Sequence, residues 1–183
     1  MKSFSIKSLF LFFFLLSNGY SEIISSIDVN GNKRISKETI IVLGDLETGK
    51  KYNSKDLNNS LKKLYETKFF KDVNISFKNG ILNILVDENP IIDEIEIIGI
   101  KKKSFKDIIY DEINLKNRKS FTEIQLRKDL DLIYNILKTN GYYFAKINSS
   151  LQKNDDLNSV KIILDIDLGA KARIKEIIFI GDK

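Results

Sequence analysis

An internal repeat restricts the possible folds of this sequence more than any other feature. Residues 27–31, 95–99 and 177–181 each place apolar side chains four and two positions before a glycine. Each segment predicts a strand that ends at a turn. After the first two glycines the match continues at equal offsets, because Ser36 and Ser104 each precede an apolar pair four residues on. Each serine predicts the N-cap of a first helix.

A second amphipathic helix is predicted in each copy. Aligning Tyr52 with Phe121 gives both copies the same apolar stripe, which indicates one buried helix face. The stripe consists of Leu57, Leu61, Leu64 and Tyr65 in the first copy, and of Leu126, Leu130, Ile133 and Tyr134 in the second. Thr122 and Gln125 have the spacing of a capping box, and Gly141 is a typical helix C-terminal signal.

Each copy then ends in two extended runs, residues 72–77 with 81–86 and residues 144–151 with 160–168. Asn79-Gly80 and the polar residues 153–159 supply the turns. The repeat is therefore β-α-α-β-β. The predicted fold class is α+β, with tandem repeats that each form a three-stranded sheet with two helices on one face.

The predicted domain organisation follows from these repeats. It assigns residues 1–21 to a signal peptide, 22–90 to a first repeat, 91–171 to a second repeat and 172–183 to the first strand of a truncated third.

The two extended runs of each copy differ in pattern. The later runs are almost entirely apolar, which is typical of a central strand. The earlier runs alternate, as a strand with one solvated face does, so we expect them at the sheet edges, where unpaired backbone groups can bind an added strand. The predicted polypeptide-binding residues are Val73, Asn74, Ile75, Ser76, Phe77, Ala145, Lys146, Ile147, Asn148 and Ser149. An edge that is only solvated, or that rests on the neighbouring repeat, would have the same pattern.

The residue types present argue against catalysis. The chain has no cysteine and no histidine, so it lacks the thiolate nucleophile, the usual general base near neutral pH and the commonest metal ligands. No pair of carboxylates stands out from the surface acids. We therefore predict no enzyme activity, no cofactor and no metal. The formal net charge is only +5, and the Lys and Arg residues are scattered among 25 acidic residues. This pattern does not indicate a nucleic-acid partner.

The first 21 residues read as a secretory signal. Lys2 and Lys7 form a basic start, residues 9–16 are an unbroken apolar run, and small residues at Gly19 and Ser21 precede Glu22. The apolar run is shorter than the ~20 residues of a spanning helix, which disfavours an uncleaved anchor. We expect cleavage after Ser21.

Several segments of the sequence resemble the polypeptide-transport-associated (POTRA) domain family, and within it the domains that begin outer-membrane protein assembly factors. The matching segments are residues 27–35 with Thr39-Ile40, residues 64–73, residues 88–92 leading into Ile95 and Gly99, and Gly141-Tyr142 with Ala145. The sequence departs from the family pattern at Ile100 and Asp182, where an asparagine often follows the glycine.

The resemblance implies a row of domains at the periplasmic face of the cell outer membrane. Its implied partners are unfolded outer-membrane proteins, periplasmic chaperones and the lipoproteins of the assembly machinery, together with the outer membrane through a missing C-terminal barrel. Nothing in residues 22–183 resembles the ~10-residue alternating strands of such a barrel.

Two other readings share the repeat. A two-partner secretion transporter or a TamA-like relative carries similar domains for other cargo, and the sequence downstream of residue 183 would discriminate between them. A cell-division membrane protein carries one such domain, and the second repeat and short apolar segment disfavour it.

Overall fold

The computed structural model describes residues 22–173, 175–178 and 181. The chain divides into two compact units. The first contains residues up to 67 together with 72–87, and the second contains residues 68–71 and those from 88 onward. The predicted signal peptide, residues 1–21, lies outside the described residues.

The first unit follows the order β-α-α-β-β with two additional short strands. Its elements are β1 (Glu22–Ile23), β2 (Ser26–Asn30), α1 (Lys37–Leu43), β3 (Lys51–Tyr52), α2 (Ser54–Glu66), β4 (Phe70–Lys78) and β5 (Ile81–Glu88). The main sheet has the order β2-β5-β4, and β2 runs parallel to β5. β1 and β3 pair with each other as a separate antiparallel ribbon, which the sequence pattern did not predict.

The second unit has the same order without the ribbon. Its elements are β6 (Ile91–Ile98), α3 (Lys103–Glu112), α4 (Glu123–Thr139), β7 (Lys146–Asn154) and β8 (Ser159–Asp167). The sheet has the order β6-β8-β7, with β6 parallel and β7 antiparallel to β8. The α+β class and the three-stranded sheets with helices agree with the prediction.

The central positions of β5 and β8 confirm the prediction from their apolar runs. In β8 the side chains of Val160, Ile162, Leu164 and Ile166 are all buried in the core of the unit. The other face of each sheet is more open: Asp165 and Asp167 of β8 are exposed, and Leu85 of β5 is 58% exposed. An almost continuous apolar run therefore indicated the central position correctly, although only one face of the strand is covered.

The predicted helix stripe is correct at its centre. Leu64 and Ile133 are fully buried, whereas Leu61 and Leu130 are half-buried. Tyr65 is partly exposed, so its assignment to the buried stripe is wrong. The alignment matches the starts of α2 and α4 but not their ends, because α2 has 13 residues and α4 has 17.

The N-cap prediction holds for Ser36 and fails for Ser104. The Thr39 amide donates to Ser36 Oγ at 3.2 Å, whereas α3 already begins at Lys103 and its cap residue makes no side-chain hydrogen bond. In the turn before α1, the side-chain amide of Asn32 donates a hydrogen bond to the carbonyl of Ile35. The equivalent residue in the second unit is the buried Ile100, which has no amide to hold such a turn.

The predicted turns are both present, but one is shorter. Asn79 and Gly80 have φ values of 53° and 79°, the left-handed geometry that a two-residue hairpin turn needs. The second turn covers only residues 155–158, because Asn154 still pairs with Ser159. Residues 172–183 were predicted to form the first strand of a third repeat. Ile177 and Ile178 are exposed and lie outside any strand, and Phe179 and Ile180 lie outside the described residues.

Candidate functional site

The outer edge of β7 is the longest regular strand edge in the second unit. All nine residues of β7 pair with β8 in continuous register, from Lys146 opposite Asp167 to Asn154 opposite Ser159. An antiparallel strand uses one side of its backbone for this pairing and turns alternate amides and carbonyls to the other side. In the described part of the chain β7 has no second partner strand. We call this row of backbone groups the β7 edge.

The side chains of β7 leave this edge accessible. Only Ile147 and Leu151 are half-buried against the core, and the other seven side chains of the strand are exposed. Ser149 lies on the same face as Ile147 and Leu151, since it occupies the alternate position between them. The β7 edge is therefore a mostly polar strand with two apolar side chains on its inner face.

The outer edge of β4, which we call the β4 edge, is partly occupied by a side chain. The amide of Val73 donates a hydrogen bond to the hydroxyl of Tyr65 at 3.0 Å, and that hydroxyl donates to Asp72 Oδ1 at 2.9 Å. Because edge amides alternate in direction, those of Ile75 and Phe77 share the side of Val73. The β4 edge is therefore blocked at the amide of Val73, which leaves the amides of Ile75 and Phe77 as its candidate binding positions.

The predicted binding residues are placed unevenly. Ala145 precedes β7, and its side chain is packed in the core, so it is not an edge-strand residue. Val73 is buried, and Ile75, Phe77 and Ile147 are half-buried. The exposed members of the predicted set are Asn74, Ser76, Lys146, Asn148 and Ser149.

Two aromatic residues beside the β7 edge were missed as site residues. Tyr143 is 60% exposed and Phe144 is 73% exposed, and Ala145 separates them from the strand. A large exposed aromatic pair is a common feature of interaction surfaces. The sequence signal is the tripeptide Tyr142-Tyr143-Phe144, of which only Tyr142 contributes to the family resemblance and only Phe144 to the predicted extended run.

An ion-pair cluster lies on the sheet of the second unit at the β6 side. Lys161 of β8 contacts Glu94 and Glu96 of β6, each at 2.9 Å. Hydrogen bonds to Glu96 and then Glu94 raise the pKa of Lys161 above its ordinary value of 10.5. This cluster connects the two parallel strands β6 and β8. Among the described residues, no comparable ion pair involves a side chain of β7.

No metal centre or membrane span is found in the described ranges. Those residues contain no group of three or more acidic side chains placed to hold a metal ion. None of the helices within residues 22–173 is long and apolar enough to cross a membrane.

Comparison with known proteins identifies the repeat. A family model described as POTRA, surface antigen variable number repeat, matches residues 22–89 and again residues 90–169. Together these two matches cover well over half of the chain.

Curated relatives of the chain share one name. The outer membrane protein assembly factor BamA of Nitratidesulfovibrio vulgaris is 24% identical over 158 residues, which is 84% of this chain and 20% of the relative. The BamA of Buchnera aphidicola is 27% identical over 187 residues, which is 99% of this chain and 30% of the relative. The chain thus spans between a fifth and a third of the length of these relatives.

A solved structure has the same fold. The N-terminal domain of Omp85 from the cyanobacterium Thermosynechococcus elongatus matches with a TM-score of 0.54 at 15% sequence identity. The match covers 82% of this chain and 64% of that chain. At this identity the similarity shows a shared fold.

Proposed function

The chain belongs to the POTRA family, with two repeats that form a BamA-type region, and from this we propose that it is the periplasmic polypeptide-binding and scaffolding region of an outer-membrane β-barrel assembly protein. In this role it receives unfolded outer-membrane proteins and contacts the lipoproteins and chaperones of the assembly machinery. Its work is binding and orientation, with no catalytic step. Residues 1–21 serve as the cleaved signal that directs it to the periplasm.

The β7 edge carries this proposal. An extended client segment that pairs with β7 would extend the sheet from three strands to four, with β8 still central. The main-chain hydrogen bonds of such a pairing supply affinity without reading a particular sequence, because every residue except proline offers both an amide and a carbonyl. This property suits a protein that handles many different unfolded clients.

Side chains around the edge support the same proposal. A client strand in an outer-membrane barrel alternates apolar and polar residues. Its apolar side would extend the inner face formed by Ile147 and Leu151, and its polar side would face solvent beside Asn148 and Ser150. The exposed rings of Tyr143 and Phe144 offer further apolar contact at the start of the edge. The β4 edge is a second candidate. It is shorter because the amide of Val73 already donates a hydrogen bond to the hydroxyl of Tyr65.

A proline scan along both edges tests the proposal. Proline has no amide donor, so Asn148→Pro or Ser149→Pro should weaken binding of an unfolded outer-membrane protein, according to which of the two amides faces outward. On β4 the informative position is Ile75, whose amide lies on the outward side, rather than Asn74. Binding is measured by fluorescence anisotropy with a labelled, urea-unfolded outer-membrane protein diluted into buffer.

The matched controls are Asn148→Ala, Ser149→Ala and Ile75→Ala, which keep the amide while removing the side chain. Far-UV circular dichroism shows whether each variant is folded. We expect the alanine variants to bind nearly as the wild type does. If every folded proline variant binds the client as tightly as the wild type, strand addition at these edges is wrong.

A further inference from the structure

A cleft of about 480 Å³ in the second unit is lined by basic, apolar and neutral polar residues and by no acidic one. It lies beside the start of α3, the end of α4 and the segment that follows β8. Its lining includes the basic residues Lys101, Lys102 and Lys171 and the apolar residues Phe105, Tyr142 and Leu168. We call it the lysine cleft.

The walls of the lysine cleft are held in place by contacts within the unit. The amide of Ala172 donates to the carbonyl of Gly141 at 2.8 Å, which fixes the segment that carries Lys171. The Nζ atom of Lys171 lies 5.6 Å from the ring centre of Tyr142. That ring is 6.0 Å from the ring of Phe105. Phe105 and Tyr142 therefore form an aromatic surface in the cleft, with the ammonium group of Lys171 beside it.

Among the residues that the structure describes, no acidic side chain pairs with the lysines of this cleft, Lys101, Lys102 and Lys171. A cleft in the first unit provides the contrast, because its lysines have acidic neighbours. There Lys63 Nζ lies 2.5 Å from Asp45 Oδ2, and this pairing lowers the pKa of Asp45.

The start of α3 adds to the positive potential of the lysine cleft. α1, α2 and α4 each have a side-chain cap and an acidic residue in the first turn, whereas α3 has neither. Its first turn carries Lys103 instead. The free amides and the helix dipole at this end favour an anion, so their contribution has the same sign as that of the three lysines.

We propose that the lysine cleft binds an acidic polypeptide segment that carries an aromatic side chain beside its carboxylates. The carboxylates pair with Lys101, Lys102 and Lys171, and the aromatic side chain packs on Phe105 and Tyr142. This inference rests on the proposed function in that the occupant is a polypeptide. It differs in mechanism, because the cleft binds charged side chains through ion pairs whereas the β7 edge binds the client backbone through main-chain hydrogen bonds.

The test uses a short labelled peptide with blocked ends in which glutamates flank a phenylalanine and prolines alternate with them. The prolines prevent strand pairing, so binding to the β7 edge does not contribute. The comparison peptide has glutamine in place of each glutamate. Anisotropy titrations of the purified chain should give measurable binding of the glutamate peptide that weakens with added salt, and much weaker binding of the glutamine peptide.

The cleft variant Lys101→Gln/Lys102→Gln/Lys171→Gln should bind the glutamate peptide about tenfold more weakly than the wild type, as expected for the loss of three exposed ion pairs. The control variant Lys55→Gln/Lys62→Gln/Lys128→Gln removes the same charge from exposed helix positions. It should bind the peptide almost as the wild type does. Equal weakening in both variants would mean that only overall charge matters, and the proposal would be wrong.

Two further outcomes would overturn the proposal. One is equal binding of the glutamate peptide by the wild type and the cleft variant. The other is absence of peptide binding together with cleft-dependent sedimentation of the chain with phosphatidylglycerol vesicles, which would make the occupant an anionic lipid. Neither result bears on the proline scan of the β7 edge, so the two proposals fail separately.

Discussion

The carbonyl oxygen of Ile166 lies where a side chain on Gly99 would have to be: a Cβ atom on Gly99 would sit 2.1 Å from it. Gly31 has the same relationship to Val86, with a distance of 2.2 Å. Both glycines have positive φ, at 85° and 82°. Each follows an edge strand that runs parallel to a central strand. The glycine recurs in both repeats because, at this position, the backbone of the edge strand passes too close to that of the central strand for any side chain to fit.

We predict that Gly31→Ala costs clearly more stability than Gly49→Ala. Both positions have φ near 80°, but nothing lies within 4 Å of a Cβ on Gly49. The strain of a positive φ alone costs on the order of 1 kcal/mol. The clash with the Val86 carbonyl should raise the loss for Gly31→Ala to at least about 3 kcal/mol. Urea unfolding of both variants measures the difference, and equal losses would contradict the close-contact explanation.

Asp129 should be required for the stability of the second unit. Its buried carboxylate accepts hydrogen bonds from the amides of Asn114 and Leu115 at 3.0 and 2.7 Å, and from the side chains of Asn114 and Gln125. Asp129→Ala leaves these donors unpaired and should reduce the free energy of unfolding by about 2–4 kcal/mol. The exposed Asp131 on the same helix is the control, and Asp131→Ala should change it by less than about 0.5 kcal/mol. Similar effects of the two changes would refute this role.

Truncation of α2 side chains should follow their burial. Leu64 is fully buried and Leu61 is half-buried, so we expect a loss of about 3–5 kcal/mol for Leu64→Ala and about 1–2 kcal/mol for Leu61→Ala. Lys62→Ala, on the exposed face, should stay within about 0.5 kcal/mol of the wild type. Denaturant unfolding of the three variants tests this order, and a larger loss at Leu61 than at Leu64 would show that the helix is rotated from the structure described.

The ion pairs of Lys161 should stabilise the second unit in a pH-dependent way. The pKa of Lys161 is raised in the folded state by Glu96 and Glu94, so the stabilisation is complete below the ordinary value of 10.5 and is lost as pH rises through the folded value. The difference in unfolding free energy between the wild type and Lys161→Met should therefore shrink above this pH. A constant difference across that range, measured by urea titrations, would contradict the assignment.

Strand order was predictable from the sequence because side-chain patterns report burial directly. The run ending at Val86 is apolar at five of six positions and the run ending at Leu168 at six of nine, and their strands are central. The first helix of the second unit was not predictable to the residue. Its start depends on whether a side chain such as that of Asn32 holds the preceding turn, and Ile100 is buried instead.

The edge residues were predictable as strands but not as accessible backbone. Pattern alone could not place Ala145 in the core, because a small apolar residue fits either a strand face or a packed turn. It also could not show that the hydroxyl of Tyr65 reaches the amide of Val73, since that contact depends on how α2 and β4 meet in space. The lysine cleft was not predictable because Lys101 and Lys102 form a short basic run typical of a solvated turn, and Lys171, which lines the same cleft, lies far along the sequence.

Amide hydrogen exchange at single-residue resolution tests the central claim most directly. The purified chain is mixed with an unfolded outer-membrane protein, and exchange is followed by NMR across β7 and β8. Pairing of a client with the β7 edge should slow exchange at alternate residues between Lys146 and Lys153, with little change in β8, whose amides are already paired. Client binding with unchanged exchange along β7, and with new protection confined to the helices, would contradict strand addition.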